Sequence, residues 1–290
     1  MFTPQQTQDG SFTFFSTEFN EAFHSHYGAK QESFLKFAVP TRLPILAETG
    51  FVRLLDVCYG LGYNTAAALQ TIWQVNPRCR VEVIGLELNP IVPQAAINHH
   101  LFNGWDDKYI KILTQIAFAH QIHIDYLQAT LLIGDARSLI LQVHESGFQA
   151  DAIFLDPFSP PQCPQLWTVE FIQKVSKCLH PNGLLATYSC AAAVRTALLA
   201  AGLVVSSTPP IGRRTPGTIA GHPKHGEEST ISSLPPLSQA EAEHLRTRAA
   251  IPYRDPSLSD TAAMILKRRQ EEVQVSTLES SSQWRKRWRR

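Results

Sequence analysis

Over the middle of the chain, short β-type apolar runs alternate with stretches of helical spacing. The runs cover residues 52–57, 81–87, 130–133, 150–155, 184–188 and 203–207, and the clearest helical patterns cover 162–179 and 191–201. Strands alternating with helices predict an α/β fold, a mostly parallel sheet with helices on both faces. Ligands of such sheets bind beyond the carboxyl ends of the strands, where strand order reverses. Three parts are expected: an aromatic-rich lead-in or lid (1–49), the α/β domain (50–234) and a C-terminal extension (235–290) whose polar end is expected to be disordered.

Composition narrows the class. With 290 residues, 44% of them hydrophobic, the chain can bury a large core. The 26 Lys+Arg nearly cancel the 25 Asp+Glu, yet residues 267–290 hold eight basic and three acidic groups. A slightly acidic body therefore carries a basic end. Five scattered cysteines form neither a disulfide framework nor a zinc site. Residues 1–10 are polar, and the longest apolar stretch, 184–205, is interrupted by Arg195. Neither a secretory signal nor a membrane span is expected, and the reading is a cytoplasmic protein.

The strand ends carry the chemistry. After the first run comes Asp56-Val57-Cys58-Tyr59-Gly60-Leu61-Gly62-Tyr63-Asn64, whose glycines allow a backbone to approach a ligand closely. Glu87, 25 residues beyond Gly62, ends the second run and suits ribose hydroxyls. Asp135, with Gly134 and Ala136, follows the third and suits an adenine amino group; Asp156-Pro157-Phe158-Ser159-Pro160 follows the fourth. No Lys-Ser/Thr pair follows the glycines, as a phosphate loop would need. Asp56, Glu87, Asp135 and Asp156 would repel a polyphosphate but suit the cationic S-adenosyl-L-methionine. The candidate cofactor contacts are Asp56, Tyr59, Gly60, Gly62, Asn64, Glu87, Asp135, Ala136 and Asp156.

At these residues the chain resembles a known family. Asp156 to Pro160 with Pro164-Gln165-Leu166-Trp167-Thr168 is similar to the signature of the MnmC-like methyltransferases, which methylate an aminomethyl group on the wobble uridine of tRNA. Asp9-Gly10-Ser11, Phe14-Phe15-Ser16, His26-Tyr27-Gly28-Ala29, Glu32, Gly85-Leu86-Glu87 and Val194-Arg195 with Ala200-Ala201-Gly202 extend the likeness. The resemblance implies a class I, Rossmann-like methyltransferase with a seven-stranded sheet, S-adenosyl-L-methionine as cofactor and tRNA as partner. At 290 residues the chain resembles the form without a flavin oxidase domain. Two positions depart from the pattern: Cys58 stands where such loops have their first glycine, and Cys163 where longer members have Asn. Both read as buried structural thiols.

Methyl transfer from a sulfonium needs neither a metal nor a covalent nucleophile, only an amine lone pair held in line. Asp156 is the candidate to orient that amine and hold its proton, and Phe158 to pack against the base. Tyr27 and Glu32 lie in the lead-in, which is expected to fold over the cofactor. Glu32 reads equally as a solvated helix carboxylate, Trp167 as packing, and Arg195 as a phosphate contact or a surface ion pair. His99, His100, His120 and His123 lack companions for a metal set. Arg213-Arg214 and residues 284–290 suit RNA phosphates or a solubilising tail. The rival readings are a spermidine-synthase-like aminopropyltransferase and a non-catalytic RNA-binding protein.

Overall fold

A computed structural model describes residues 2–210, 215–223 and 234–288. Two short hairpins open the chain: β1 (Gln5–Gln6) with β2 (Phe12–Thr13), and β3 (Phe15–Ser16) with β4 (Glu21–Ala22). After them come α1 (Ala29–Glu32), a π-helix (Ser33–Ala38) and α2 (Leu43–Glu48). The α/β domain then runs β5 (Phe51–Val57), α3 (Tyr63–Val75), β6 (Arg80–Glu87), α4 (Ile91–Asn98), α5 (Asp107–Ala119), β7 (Gln121–Ile124) and β8 (Leu127–Ile133). It continues with α6 (Ala136–Glu145), β9 (Ala150–Leu155), a 3-10 turn (Pro164–Trp167), α7 (Val169–Lys177), β10 (Leu179–Thr187), α8 (Ala192–Ala200), β11 (Val204–Ser207) and β12 (Thr218–Gly221). The extension holds α9 (Gln239–His244), α10 (Ala262–Val275) and α11 (Ser281–Trp288).

The strands form one sheet in the order β11-β12-β10-β9-β5-β6-β8-β7. β10, β9, β5, β6 and β8 are parallel, while β12 and β7 run antiparallel to their neighbours. The expected class I arrangement is present, with eight strands instead of the expected seven. One strand not read from the pattern is β7, an edge strand with three of its four residues exposed. Gln121-Ile122-His123-Ile124 does alternate, but four residues directly after the apolar pattern of α5 are too short a run to stand out. Strand order reverses between β5 and β9, and their register pairs Val57 with Leu155 and with Leu86 of β6. Asp156 and Glu87, each one residue further on, therefore emerge on either side of the β5 loop.

Helices cover the sheet with two apolar layers. One packs α2, α3, α4, α5 and the π-helix against the sheet, and the other packs α6, α7, α8 and the 3-10 turn. Trp167 is fully buried in the second layer, and its Nε1–H donates to Phe158 O at 2.8 Å. Arg195 is no surface residue: it is 2% exposed and donates to Thr218 Oγ1 and to Glu241, tying α9 to the sheet.

The chain's end departs from the disorder expected of it. Up to Trp288 it forms α11, because its tryptophans find partners on α9. Trp284 stacks on His244 at 4.0 Å and donates to Ala240 O, while Trp288 donates to Glu243. Arg287 bridges Glu243 and Glu279, which leaves Arg285 and Lys286 exposed. Arg213, Arg214, Arg289 and Arg290 lie outside the described residues. Among the described residues no helix is long and apolar enough to cross a membrane.

Candidate active site

The site begins in the loop after β5. Cys58 takes φ 69°, so a cysteine occupies the left-handed conformation its glycine counterparts adopt freely, at a cost of roughly 1–2 kcal/mol. Gly62, at φ 96°, opens α3, and a Cβ there would lie 2.8 Å from Tyr59 Oη. Tyr59 is a wedge beneath the loop, 3% exposed, packed between Gly62 and Gly85. Asp56 is fully buried under the same loop. Its Oδ2 accepts from Thr65 Oγ1 at 2.7 Å, and its Oδ1 has no hydrogen-bond partner. Burial pushes Asp56 up to about 7, and the neighbouring Glu87 adds to the rise against the Thr65 hydrogen bond.

Glu87 closes the loop. Its Oε2 accepts from Gly60 N at 2.8 Å and its Oε1 from Asn89 N at 2.9 Å, so both oxygens are pinned by backbone and keep lone pairs for a ligand. Across β5, Asp156 Oδ2 accepts from Asn64 Nδ2 at 2.8 Å. Burial holds Asp156 well above the usual carboxylate range; Asn64 and Lys36 pull it down, and Asp56 and Glu32 push it further up. Asp135 caps α6 through Arg137 N and forms a 2.7 Å ion pair with Arg137, which also reaches Asp255 at 3.0 Å.

These strand ends border a cavity of about 310 Å³. Gly60, Glu87, Asp135, Ala136 and Asp156 line it; Tyr59 and Asn64 line a small recess beside it; Asp56 and Gly62 sit behind the loop. The lead-in supplies the facing wall. Glu21 of β4 accepts from Ser159 N at 2.9 Å, latching the hairpin onto the loop after β9. Phe19 stacks on Phe158 at 4.5 Å and 17°, and Phe23 meets its edge at 5.0 Å. One face of Phe158 is therefore already covered by the protein. Glu32 also lines the cavity, 8% exposed, with Ser25 N and Oγ donating to it at 3.1 and 2.6 Å. Burial acts to raise its pKa, but these bonds and Lys36 leave it below the usual range. Tyr27 is not brought to the cavity, and its ring tilts against His26.

Over most of its length the chain can be laid on the crystal structure of MnmC2 from Aquifex aeolicus. The TM-score is 0.80 at 33% identity, covering 94% of this chain and 85% of that one. The chain belongs to the MnmC2-type methyltransferases. A family profile described as S-adenosyl-L-methionine-dependent methyltransferase matches residues 99–223. An uncharacterized protein of Methanocaldococcus jannaschii is 31% identical over 92% of this chain and 71% of its own length. The bifunctional MnmC of Ralstonia nicotianae, named for tRNA 5-methylaminomethyl-2-thiouridine biosynthesis, is 30% identical over 77% of this chain. The match spans 35% of that bifunctional protein. As an MnmC2-type enzyme the chain uses S-adenosyl-L-methionine, and the aminopropyltransferase and non-catalytic readings are set aside.

The residues suit that cofactor. Glu87 is a pinned carboxylate able to take a diol, and the buried Asn64 Oδ1 is an acceptor without a partner beside Asp156. Three further cavity residues are not among the site candidates that the sequence offers, although one of them, Gln165, lies in the signature stretch. His24 lines the wall, and burial pushes it down to about 4, so it is neutral at pH 7. Gln165 presents a buried Oε1 with no partner. Lys36 is 1% exposed, and a lone lysine in the apolar run Phe34-Leu35-Lys36-Phe37-Ala38 was the one signal available for it.

Proposed function

We propose that this MnmC2-type enzyme methylates the aminomethyl group of a tRNA wobble uridine in the cytoplasm, forming 5-methylaminomethyl uridine. The reading rests above all on the Asp156–Asn64 pair bordering a cavity that is lined by Phe158 from the same loop and by Phe19 from the lead-in wall. A carboxylate there can accept an amine N–H, and an aromatic wall can pack a splayed base. The name of the Ralstonia relative supports the choice of nucleoside.

S-adenosyl-L-methionine, when bound, supplies an activated methyl group. The chain's own residues must present a neutral amine and take the proton that amine sheds. An alkyl amine is mostly protonated at pH 7. Asp156 accepts the N–H hydrogen bond that aims the lone pair and then holds the released proton, a role that suits a carboxyl with a raised pKa. Asn64 fixes its rotamer, and Pro157 holds the loop, its carbonyl accepting from Tyr188 Oη at 3.0 Å. Phe158 packs the base on the side Phe19 leaves open. Glu32 braces the lead-in wall through Ser25. Of the residues that would hold the cofactor, Glu87 would take the ribose hydroxyls, Gly60 would allow the loop's close approach, and Asp135 and Ala136 would border the adenine. Asp56, Tyr59 and Gly62 act from beneath, by holding the loop in shape.

Purified protein with S-adenosyl-L-methionine should convert tRNA bearing 5-aminomethyl uridine to the methylated nucleoside, read by mass spectrometry of tRNA digests. An unchanged wobble nucleoside in that assay, with a normal profile in a deletion strain, would overturn the substrate assignment. Glu87→Gln keeps the size but turns one charged acceptor into an amide, and should weaken S-adenosyl-L-methionine binding about tenfold by calorimetry. Wild-type affinity in that variant would remove Glu87 from the cofactor contacts.

A further inference from the structure

Lys36 is buried on the cavity wall with no part in the roles above. Its Nζ lies 3.4 Å from Glu32 Oε1, and Glu32 is held in turn by Ser25. Burying such a pair carries a desolvation cost that an apolar side chain in the same run would avoid, so the charge calls for a use. The π-helix that carries Lys36 is itself a distortion concentrated at functional sites.

The cavity wall that Lys36 shares is mostly acidic. It carries Glu32 from α1, Glu18 and Glu21 from the second hairpin, neutral His24 from the turn after β4, Glu87 at the end of β6, Asp135 after β8 and Asp156 after β9, with Tyr188, after β10, donating to Pro157 O. Lys30 of α1 lies over the Trp105 ring at 4.5 Å instead. On α3, Asn64 and Thr65 do not titrate, and the Tyr63 hydroxyl donates to Leu101 O. Arg137, another cation on the cavity wall, is engaged by Asp135 and Asp255.

We propose that Lys36, anchored by Glu32, is the positioning residue that eases the ionisation of Asp156 and favours the neutral form of the incoming substrate amine. A fixed positive charge stabilises a nearby carboxylate and disfavours a second cation beside it. Both effects act in one direction, toward an unprotonated amine facing a carboxylate that can take its proton. The amine half of the proposal rests on the aminomethyl reading above; the Asp156 half does not.

Removal of the charge should move the acid limb of kcat/KM upward. Lys36→Met is expected to raise its midpoint by about one pH unit, and Lys36→Arg to restore the wild-type position. Lys36→Gln can still donate to Glu32, and serves if the methionine variant fails to fold. The same shift should appear without substrate, as the titration midpoint of the Asp156 carboxyl in 13C NMR, assigned by its loss in Asp156→Asn. If the wild type fails to methylate the tRNA, the aminomethyl reading falls while the NMR titration still decides the Lys36–Asp156 coupling. An Asp156 midpoint unchanged in Lys36→Gln, or moved as far by Lys36→Arg, would overturn the proposal.

Discussion

Asp156→Asn is expected to lower the single-turnover rate of methyl transfer by about two to four orders of magnitude. The substitution is nearly isosteric, and its side-chain oxygen can still accept from Asn64 Nδ2, so the loop after β9 should keep its shape. What disappears is the group that takes the amine's proton. Stability should not fall, because a buried ionisable carboxyl is replaced by a neutral amide. Saturating S-adenosyl-L-methionine separates this loss from any change in cofactor affinity. The wild-type rate should rise with pH as Asp156 gives up its proton, and burial places that rise above the usual carboxylate range. In Asp156→Asn this limb should vanish, leaving only the substrate amine's own ionisation. A variant within tenfold of wild type at saturating cofactor would sink the assignment of Asp156 as proton acceptor.

The strand-end residues were legible because their role follows from topology. In a sheet whose order reverses between β5 and β9, the residues after Val57, Leu86 and Leu155 must come together, and their acidity can be read directly. What an individual side chain then does was less legible. Asp135 looked free for an adenine amino group, yet Arg137 two residues on claims both its oxygens. Asp56 looked like a cofactor contact and lies beneath the loop, because its partner Thr65 sits on the first turn of α3. Glu32 and Lys36 are four apart on a helix, a spacing that usually marks a solvated pair. Only the fold of the lead-in over the cavity buries them. The end of the chain was misread because Arg, Lys and Ser dominate its composition, whereas two tryptophans decide its structure.

Asp56→Asn should make stability rise relative to wild type as pH rises, a trend opposite to the usual acid denaturation of carboxylate-rich proteins. Asp56 goes from an ordinary 3.8 to about 7 on folding. Below pH 4 both states hold the proton, and burial of Asp56 costs nothing through ionisation. Between pH 4 and 7 the unfolded chain releases the proton while the folded chain keeps it. Native stability therefore falls as pH rises through this window, by on the order of 4 kcal/mol in total. Asparagine removes that dependence. Its oxygen can still accept from Thr65, and its amide takes the place of the partnerless Oδ1, which carries the proton of the folded wild type, so a buried donor lacks a partner in both proteins. The variant should thus be close to wild type in stability at pH 4 and more stable at pH 8, with the curves diverging between. Urea denaturation of the cofactor-free protein across that range reads the divergence directly. A stability difference that stays constant with pH would show that Asp56 is ionised throughout, and that the loop tolerates two buried anions at Asp56 and Glu87.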